Sequence, residues 1–157
     1  MKMFTLRLKP KTIFGLILIL AGIIVISITF FSNHAALSRP AASEVTLETD
    51  AQREDYLTSL GWEFKTPCEE KEVQIPQTFN DTYTQYNEIQ KAQGFDLENY
   101  KGQTATVYTY NITNYVGYEN RDCVYANLLV CGGVLIGGDV CSTSASDGFI
   151  EGLQKES

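Results

Sequence analysis

Residues 122–141 read DCVYANLLVCGGVLIGGDVC, two β-rich segments separated by a pair of glycines. Glycine adopts the positive φ values that tight hairpin turns require, so Gly132-Gly133 predicts a two-residue turn. The flanking strands are predicted over Asp122–Cys131 and Val134–Cys141.

The sequence before this hairpin alternates between helical and strand patterns. Thr49-x-x-Gln52 matches a capping box, which opens a helix that Gly61 is placed to end. The other predicted elements are strands over Trp62–Thr66, Glu70–Ile75 and Thr104–Thr113, and a helix over Gln77–Gln93. The fold class is therefore predicted to be α+β, an antiparallel sheet of about four to five strands with two helices on one face.

An apolar segment lies near the N-terminus. Residues 12–31 (TIFGLILILAGIIVISITFF) contain no charged residue, and 20 helical residues span about 30 Å, the thickness of a bilayer's hydrocarbon core. We therefore expect a transmembrane helix that contacts the lipid bilayer. The alternative is a cleaved signal peptide, whose apolar part is usually about 7–15 residues long.

The charges predict the orientation of that helix. The chain carries a net charge of −7, yet residues 1–11 hold four cations and no acid. Residues 32–157 hold 8 cations and 19 acids. The positive-inside rule then predicts a cytoplasmic tail (1–11), a transmembrane helix (12–31), a linker (32–48) and an extracellular domain (49–157).

The composition of the domain argues against several function classes. Its acidity disfavours nucleic acid as a partner, because binding to phosphates needs a basic surface. The only histidine is His34, in the predicted linker, so the domain has no Cys-His or Ser-His pair. No metal site, cofactor or set of catalytic residues is predicted.

Four cysteines lie in the predicted extracellular part, where disulfides can persist. A turn at Gly132-Gly133 places Cys141 opposite Val124, and a bulge at Gly137-Gly138 is expected to change that register. The candidate disulfide is Cys123–Cys141. The alternative is that all four cysteines are free thiols.

Asp139 is unusual because it interrupts an apolar strand. A buried carboxylate needs hydrogen-bond donors, so the plainest expectation is a bond to the amides of the glycine bulge. A ligand site is the other interpretation. Together with Cys141, Asp139 could serve a hydrolase or thiol enzyme, although an acidic neighbour raises the pKa of a thiol and disfavours a reactive thiolate.

Aromatic residues provide the other candidate binding positions. The chain contains nine tyrosines, and exposed tyrosines suit contacts with proteins and glycans. Tyr108 and Tyr110 share one face of a predicted strand, and Tyr115 follows in a loop. Asn87 lies beside the aromatic stripe of the second predicted helix. A tyrosine-filled core is the competing interpretation.

Several short segments resemble a known family. They are Tyr56-Leu57 with Gly61-Trp62, Tyr86–Gln90 with Gly94–Leu97, and Ala126–Val130 with Ile136–Ser142. In these segments the chain resembles small single-pass proteins of clostridia and related Gram-positive bacteria, whose soluble part is catalogued as a domain of unknown function, DUF4830. The resemblance runs from about residue 50 to the end. It implies a Gram-positive source and the same anchor layout, and it carries no assigned activity or catalytic residues.

The leading hypothesis is a non-catalytic binding module, anchored in the cell membrane, that contacts an envelope protein, a peptide or a wall component. The alternative is the hydrolase or thiol enzyme that uses Asp139 and Cys141. A weaker alternative is a released inhibitor or ligand carrier.

Overall fold

The computed structural model describes residues 44–119 and 121–155. Five antiparallel strands form one sheet in the order β1-β2-β3-β4-β5, and two α-helices pack on it. The α+β class is therefore confirmed. The elements are α1 (Asp50–Ser59), β1 (Glu69–Gln74), α2 (Asp81–Ala92), a 3₁₀ helix (Leu97–Tyr100), β2 (Thr104–Asn111), β3 (Val124–Cys131), β4 (Val134–Ser142) and β5 (Ile150–Glu151).

The tail and the transmembrane helix predicted over 1–11 and 12–31 lie outside the described residues. Within 44–119 and 121–155, no helix has the length and apolar character needed to cross a membrane.

The hairpin forms at the predicted turn. Gly132 and Gly133 have φ values of 58° and 81°, and Cys131 pairs with Val134 across the turn. The bulge falls one residue earlier than expected. Leu135 pairs with Val130 and Gly137 pairs with Leu129, which leaves Ile136 as the extra residue on β4.

The two helices pack on opposite faces of the sheet, and the prediction of one shared face is wrong. Leu57 of α1 belongs to a core with Tyr110 and Leu128, whereas Ile89 of α2 belongs to a second core with Leu129. We call the two sides of the sheet the α1 face and the α2 face. Strands β3 and β4 are largely buried on both sides, which fits their nearly continuous apolar sequence.

Two boundaries also differ from the predicted ones. The segment Trp62–Thr66 makes one isolated bridge, between Phe64 and Ile112, in place of a full strand. The end of the predicted linker belongs to the fold, because Thr46 bridges Val134 and Leu47 is 2% exposed. The folded part therefore begins before residue 49.

The described chain begins at one end of the sheet, and the loop between β2 and β3 lies at the other. The Leu47 amide donates to the Gly133 carbonyl at 2.7 Å, beside the hairpin turn. At the opposite end, β2 finishes at Asn111 and β3 begins at Val124. Eight strand residues separate these ends by about 26 Å.

Candidate functional site

Asp139 lies on the α2 face of β4, covered by α2, and is 1% exposed. The Tyr86 hydroxyl donates to Oδ1 at 2.8 Å, and Asn127 Nδ2 donates to Oδ2 at 2.9 Å. The amide of Gly138 instead donates to Gln90 Oε1 at 2.8 Å. The donors to Asp139 are thus side chains, and the bulge amide expected to bind it is used by α2.

Burial changes the acid–base chemistry of this cluster. Desolvation raises the pKa of Asp139 to about 6, and the bonds from Asn127 and Tyr86 only partly oppose it. Burial, reinforced by the Asp139 charge, raises the pKa of the Cys141 thiol well above its usual range. Cys141 is 4% exposed, so it lacks both the ionisation and the access of a reactive thiol.

Asp139 ends a row of polar residues that crosses four strands on the α2 face. Strand pairing sets Glu69 of β1 opposite Thr109, Thr109 opposite Asn127, and Asn127 opposite Asp139. The Thr109 hydroxyl donates to Asn127 Oδ1 at 2.7 Å. The row thus runs from an exposed carboxylate at the sheet edge to a buried one under α2.

The middle of this row belongs to a half-buried polar surface. Asn111 pairs with Tyr125 next to the Thr109–Asn127 pair, and all four side chains face the α2 side. We call these four residues (Thr109, Asn111, Tyr125 and Asn127) the polar shelf. Farther along the same strands, α2 and the 3₁₀ helix bury Val107, Leu129 and Ile136. The helices therefore leave the shelf half-buried, next to the exposed Glu69 of β1.

The predicted binding residues do not converge on the shelf. Tyr108 and Tyr110 lie on the α1 face, where the Arg53 guanidinium stands 3.7 Å from the centre of the Tyr108 ring. Tyr110 is 1% exposed and meets Phe64 edge-on. Both side chains therefore belong to the packing between α1 and the sheet.

Tyr115 lies in an aromatic cluster at the β2–β3 loop. Its ring stacks on Phe149 with centroids 4.7 Å apart and lies parallel to Trp62 at 5.9 Å. Its hydroxyl donates to Glu151 Oε1 at 2.8 Å. These contacts fix the loop against the C-terminal segment.

Asn87 supports the chain that follows α2. Its Oδ1 accepts from the Leu97 amide at 2.8 Å, and its Nδ2 donates to Asp96 Oδ1 at 3.0 Å. The side chain is buried, so its role in the described structure is to hold the 3₁₀ helix.

The structure does not form the candidate disulfide. All four cysteines are free, and Cys123 and Cys141 pack into the cores on opposite faces of the sheet. The bulge at Ile136 pairs Cys141 with Tyr125, two residues away from Cys123. Because the extra residue lies on β4, the bulge moves Cys141 from a position opposite Val124 to one opposite Tyr125, farther from Cys123.

No group of three or more His, Cys, Asp or Glu residues within 44–119 and 121–155 is arranged to hold a metal ion. The side chains of the shelf and of the polar row carry amides, hydroxyls and carboxylates. This set can bind a ligand by hydrogen bonds and charge.

A family model described as "Domain of unknown function (DUF4830)" matches residues 56–140. The chain belongs to this family. The DUF4830 match covers more than half of the chain and includes the whole polar shelf and Asp139, and it confirms the resemblance noted from the sequence. Neither a curated protein nor a solved structure matches the chain.

Sequence reasoning missed the shelf of this DUF4830 domain, although a signal for part of it is present. Asn127 and Asp139 are the two polar interruptions of the apolar hairpin strands, and one bulged residue sets them opposite each other. Pairing the hairpin in that register would have found them. Thr109, Asn111 and Tyr125 could not be placed without the order of the other strands.

Proposed function

We propose that this DUF4830 protein is a non-catalytic binding module, anchored in the membrane by residues 12–31 with its folded domain outside the cytoplasm. The observation that carries the proposal is the polar shelf, a half-buried set of hydrogen-bonding side chains on an otherwise covered sheet. A few precisely placed polar groups determine the orientation and specificity of a bound ligand. The shelf offers four such side chains, each half-buried.

The position of the shelf supports a role in contacting partners away from the membrane. The described chain begins beside the hairpin turn, whereas Asn111 and Tyr125 lie near the opposite end of the sheet. An anchor at residues 12–31 would therefore hold the hairpin end toward the bilayer. The shelf would then face the cell wall and its proteins.

The chemistry of the buried cluster favours binding over the hydrolase or thiol-enzyme alternative. Asp139 and Cys141 are covered by α2 and its neighbours. A nucleophile or general acid has to reach its substrate within hydrogen-bond distance. Both groups would need α2 to move before they could touch one.

Binding is tested with the full chain in detergent micelles, against purified cell-wall sacculi and envelope proteins of a Gram-positive bacterium. Replacing Thr109 and Asn111 by Ala is expected to weaken retention about fivefold to 150-fold, since each of the two lost hydrogen bonds contributes roughly 0.5–1.5 kcal/mol. The matched control replaces Thr104 and Thr106, which lie on the same strand and point to the α1 face.

Circular dichroism checks that both variants fold. Equal losses in the two double variants, or no retention of the unaltered chain on either material, would count against the proposal.

A further inference from the structure

The hydrogen bonds within the shelf use up most of its donors. The Thr109 hydroxyl donates to Asn127, and the Asn127 amide donates to Asp139 and to Cys141 Sγ. The Tyr125 hydroxyl donates to the Asp122 carbonyl at 3.2 Å. The Asn111 Nδ2 donates to the Val124 carbonyl at 3.5 Å. Most of the remaining capacity is therefore the lone pairs of oxygen atoms, so the shelf accepts hydrogen bonds more readily than it donates them.

One of these acceptors has no partner at all. Asn111 Oδ1 is buried without a hydrogen-bond donor among the described residues. Because this atom is closed to solvent, a ligand donor would reach it only after the side chain turned outward, and such a bond would remove the desolvation cost of an unpaired buried acceptor. It also contributes negative potential to the surface around it.

Two carboxylates add negative charge to the shelf. Glu69 is exposed on β1 opposite Thr109, and its charge raises the pKa of Tyr125 after the larger effect of burial. Asp139 lies opposite Asn127 on β4 and accepts a hydrogen bond from it. The Asp122 carboxylate is already paired with Lys65, whose amide donates to the Asn111 carbonyl at 2.9 Å, so the acid and the cation at that end of the shelf are used by each other. The cation on the same face of β1, Lys71, stands opposite Val107, on the side away from Asn111.

The edge of the sheet lies next to these acceptors. β1 ends the strand order, so its outer edge has no neighbouring strand in the part of the chain that the structure describes. An extended peptide can add to such an edge by main-chain hydrogen bonds, with alternate side chains on each face of the sheet. Neighbouring strands lie about 4.8 Å apart, so a long side chain placed opposite Glu69 on the α2 face would meet Glu69 and extend toward Thr109, the shelf residue nearest the edge.

We propose that the polar shelf binds the ammonium group of a lysine side chain carried by an extended peptide that lies along β1. A lysine ammonium has three donors and no acceptor, which matches a surface of oxygen acceptors. Its charge matches Glu69 and the acidic domain, and anionic ligands are repelled by the same groups. This inference rests on the proposed function and names the ligand class of the same site.

The test uses a fluorescent hexapeptide with one central lysine and the same peptide with that lysine ε-acetylated. Both are titrated against the full chain in uncharged detergent at low salt, with anisotropy as the readout. The acetylated peptide is expected to bind at least fivefold more weakly, because acetylation removes the charge. Added salt is expected to weaken binding of the free-lysine peptide only.

Two variants of β1 locate the contact. Glu69 and Glu72 are both exposed, but Glu69 pairs with Thr109 on the α2 face and Glu72 pairs with Thr106 on the α1 face. Glu69→Gln is expected to weaken the lysine peptide about twofold to fivefold, the size of a partly exposed ion pair. Glu72→Gln, the same charge change on the other face, is expected to leave it unchanged.

The inference is overturned if both peptides bind alike or if the two variants behave alike. If the chain holds envelope material through Thr109 and Asn111 but ignores the lysine peptide, the ligand class is wrong and the proposed function stands. If the chain binds neither the envelope material nor the lysine peptide, both the ligand class and the proposed function are wrong.

Discussion

Asp139 keeps a carboxyl group where water is excluded. Its two donors, Tyr86 and Asn127, stabilise the charged form, but desolvation outweighs them and the pKa settles at about 6 against an ordinary value of 3.8. A shift of about two units corresponds to roughly 3 kcal/mol. The ionised acid therefore costs the folded state free energy at neutral pH.

We expect this cost to appear as a pH dependence of stability. The folded state holds the Asp139 proton more tightly than the unfolded state does, so the benefit is complete below pH 3.8 and is lost as the pH rises through about 6. Urea unfolding of the unaltered chain and Asp139→Asn at pH 4.5 and 7.5 measures it. The free energy of unfolding of the unaltered chain, relative to the variant, should fall by about 2 kcal/mol between these two pH values.

Comparing two proteins at each pH removes the contribution of other acids. Asp147 needs such a correction, because hydrogen bonds, first from Ser144, lower its pKa and act in the opposite sense. A difference that stays constant between the two pH values would contradict the burial of a charged Asp139.

The sequence pointed to Asp139 but not to its partners. A lone acid in VLIGGDVC is visible as an interruption of an apolar strand. Tyr86 comes from α2, 53 residues away, and its approach depends on which face of the sheet α2 covers. Spacing along the chain does not determine that face.

At the scale of elements, the hairpin was predictable because its turn is local. The two residues Gly132 and Gly133 are enough to specify the turn, because both adopt the positive φ values it requires. The placement of the helices depends on distant contacts, and one cue was available. Apart from Asn127, the run VYANLLVC in β3 is apolar on both faces, and a strand of that kind needs cover on both sides. Polar and apolar residues alternate in Glu70–Ile75, as is typical of an edge strand. This alternation does not predict how the central strands are covered.

Gly137 and Gly138 allow α2 and the C-terminal segment to approach β4 closely. A Cβ at Gly138 would lie 2.6 Å from the Asn127 carbonyl oxygen and 2.5 Å from Leu153 Cδ1. We expect Gly138→Ala to lower stability by about 1–3 kcal/mol, measured by thermal or urea unfolding, because a backbone oxygen cannot move aside cheaply.

Gly152→Ala is the matched control. A Cβ there would meet the Gln93 side chain at 2.8 Å, and that side chain can shift at some cost to its hydrogen bonds. A smaller loss is expected than for Gly138→Ala. Equal losses would mean that the backbone contact at Gly138 is not the limiting one.

At the scale of the whole molecule, the uneven distribution of charge predicts a membrane topology. The basic residues 1–11 and the acidic residues 32–157 lie on either side of the apolar segment 12–31. Such a pattern can be derived from composition alone. The proposed ligand surface cannot be derived in this way. It consists of the polar shelf on β2 and β3 and of Glu69 on β1, and these strands are separated in the sequence.

The topology is tested by thiol labelling of intact cells with a membrane-impermeant maleimide. Ala145 is exposed in the domain, so Ala145→Cys is expected to label well above the background of the native cysteines. Lys2→Cys is expected to label only after the membrane is permeabilised. Equal labelling of Lys2→Cys in intact cells would contradict the predicted orientation.

The same experiment separates an anchored protein from a released one. If residues 12–31 are retained, the labelled Ala145→Cys chain stays in the membrane fraction at full mass. A shortened labelled chain in the medium would favour the cleaved signal peptide, and with it the released inhibitor or carrier.

The position of the hairpin beside the first described residues has a mechanical consequence. A partner bound at the polar shelf and a membrane anchor on the N-terminal side of residue 44 would pull on opposite ends of the sheet. The force would then act along the strands. Hydrogen bonds in antiparallel sheets run perpendicular to the strands, so such a pull loads many of them together. We expect a domain loaded along its strands to resist tension better than one whose strands are separated one at a time from an edge of the sheet.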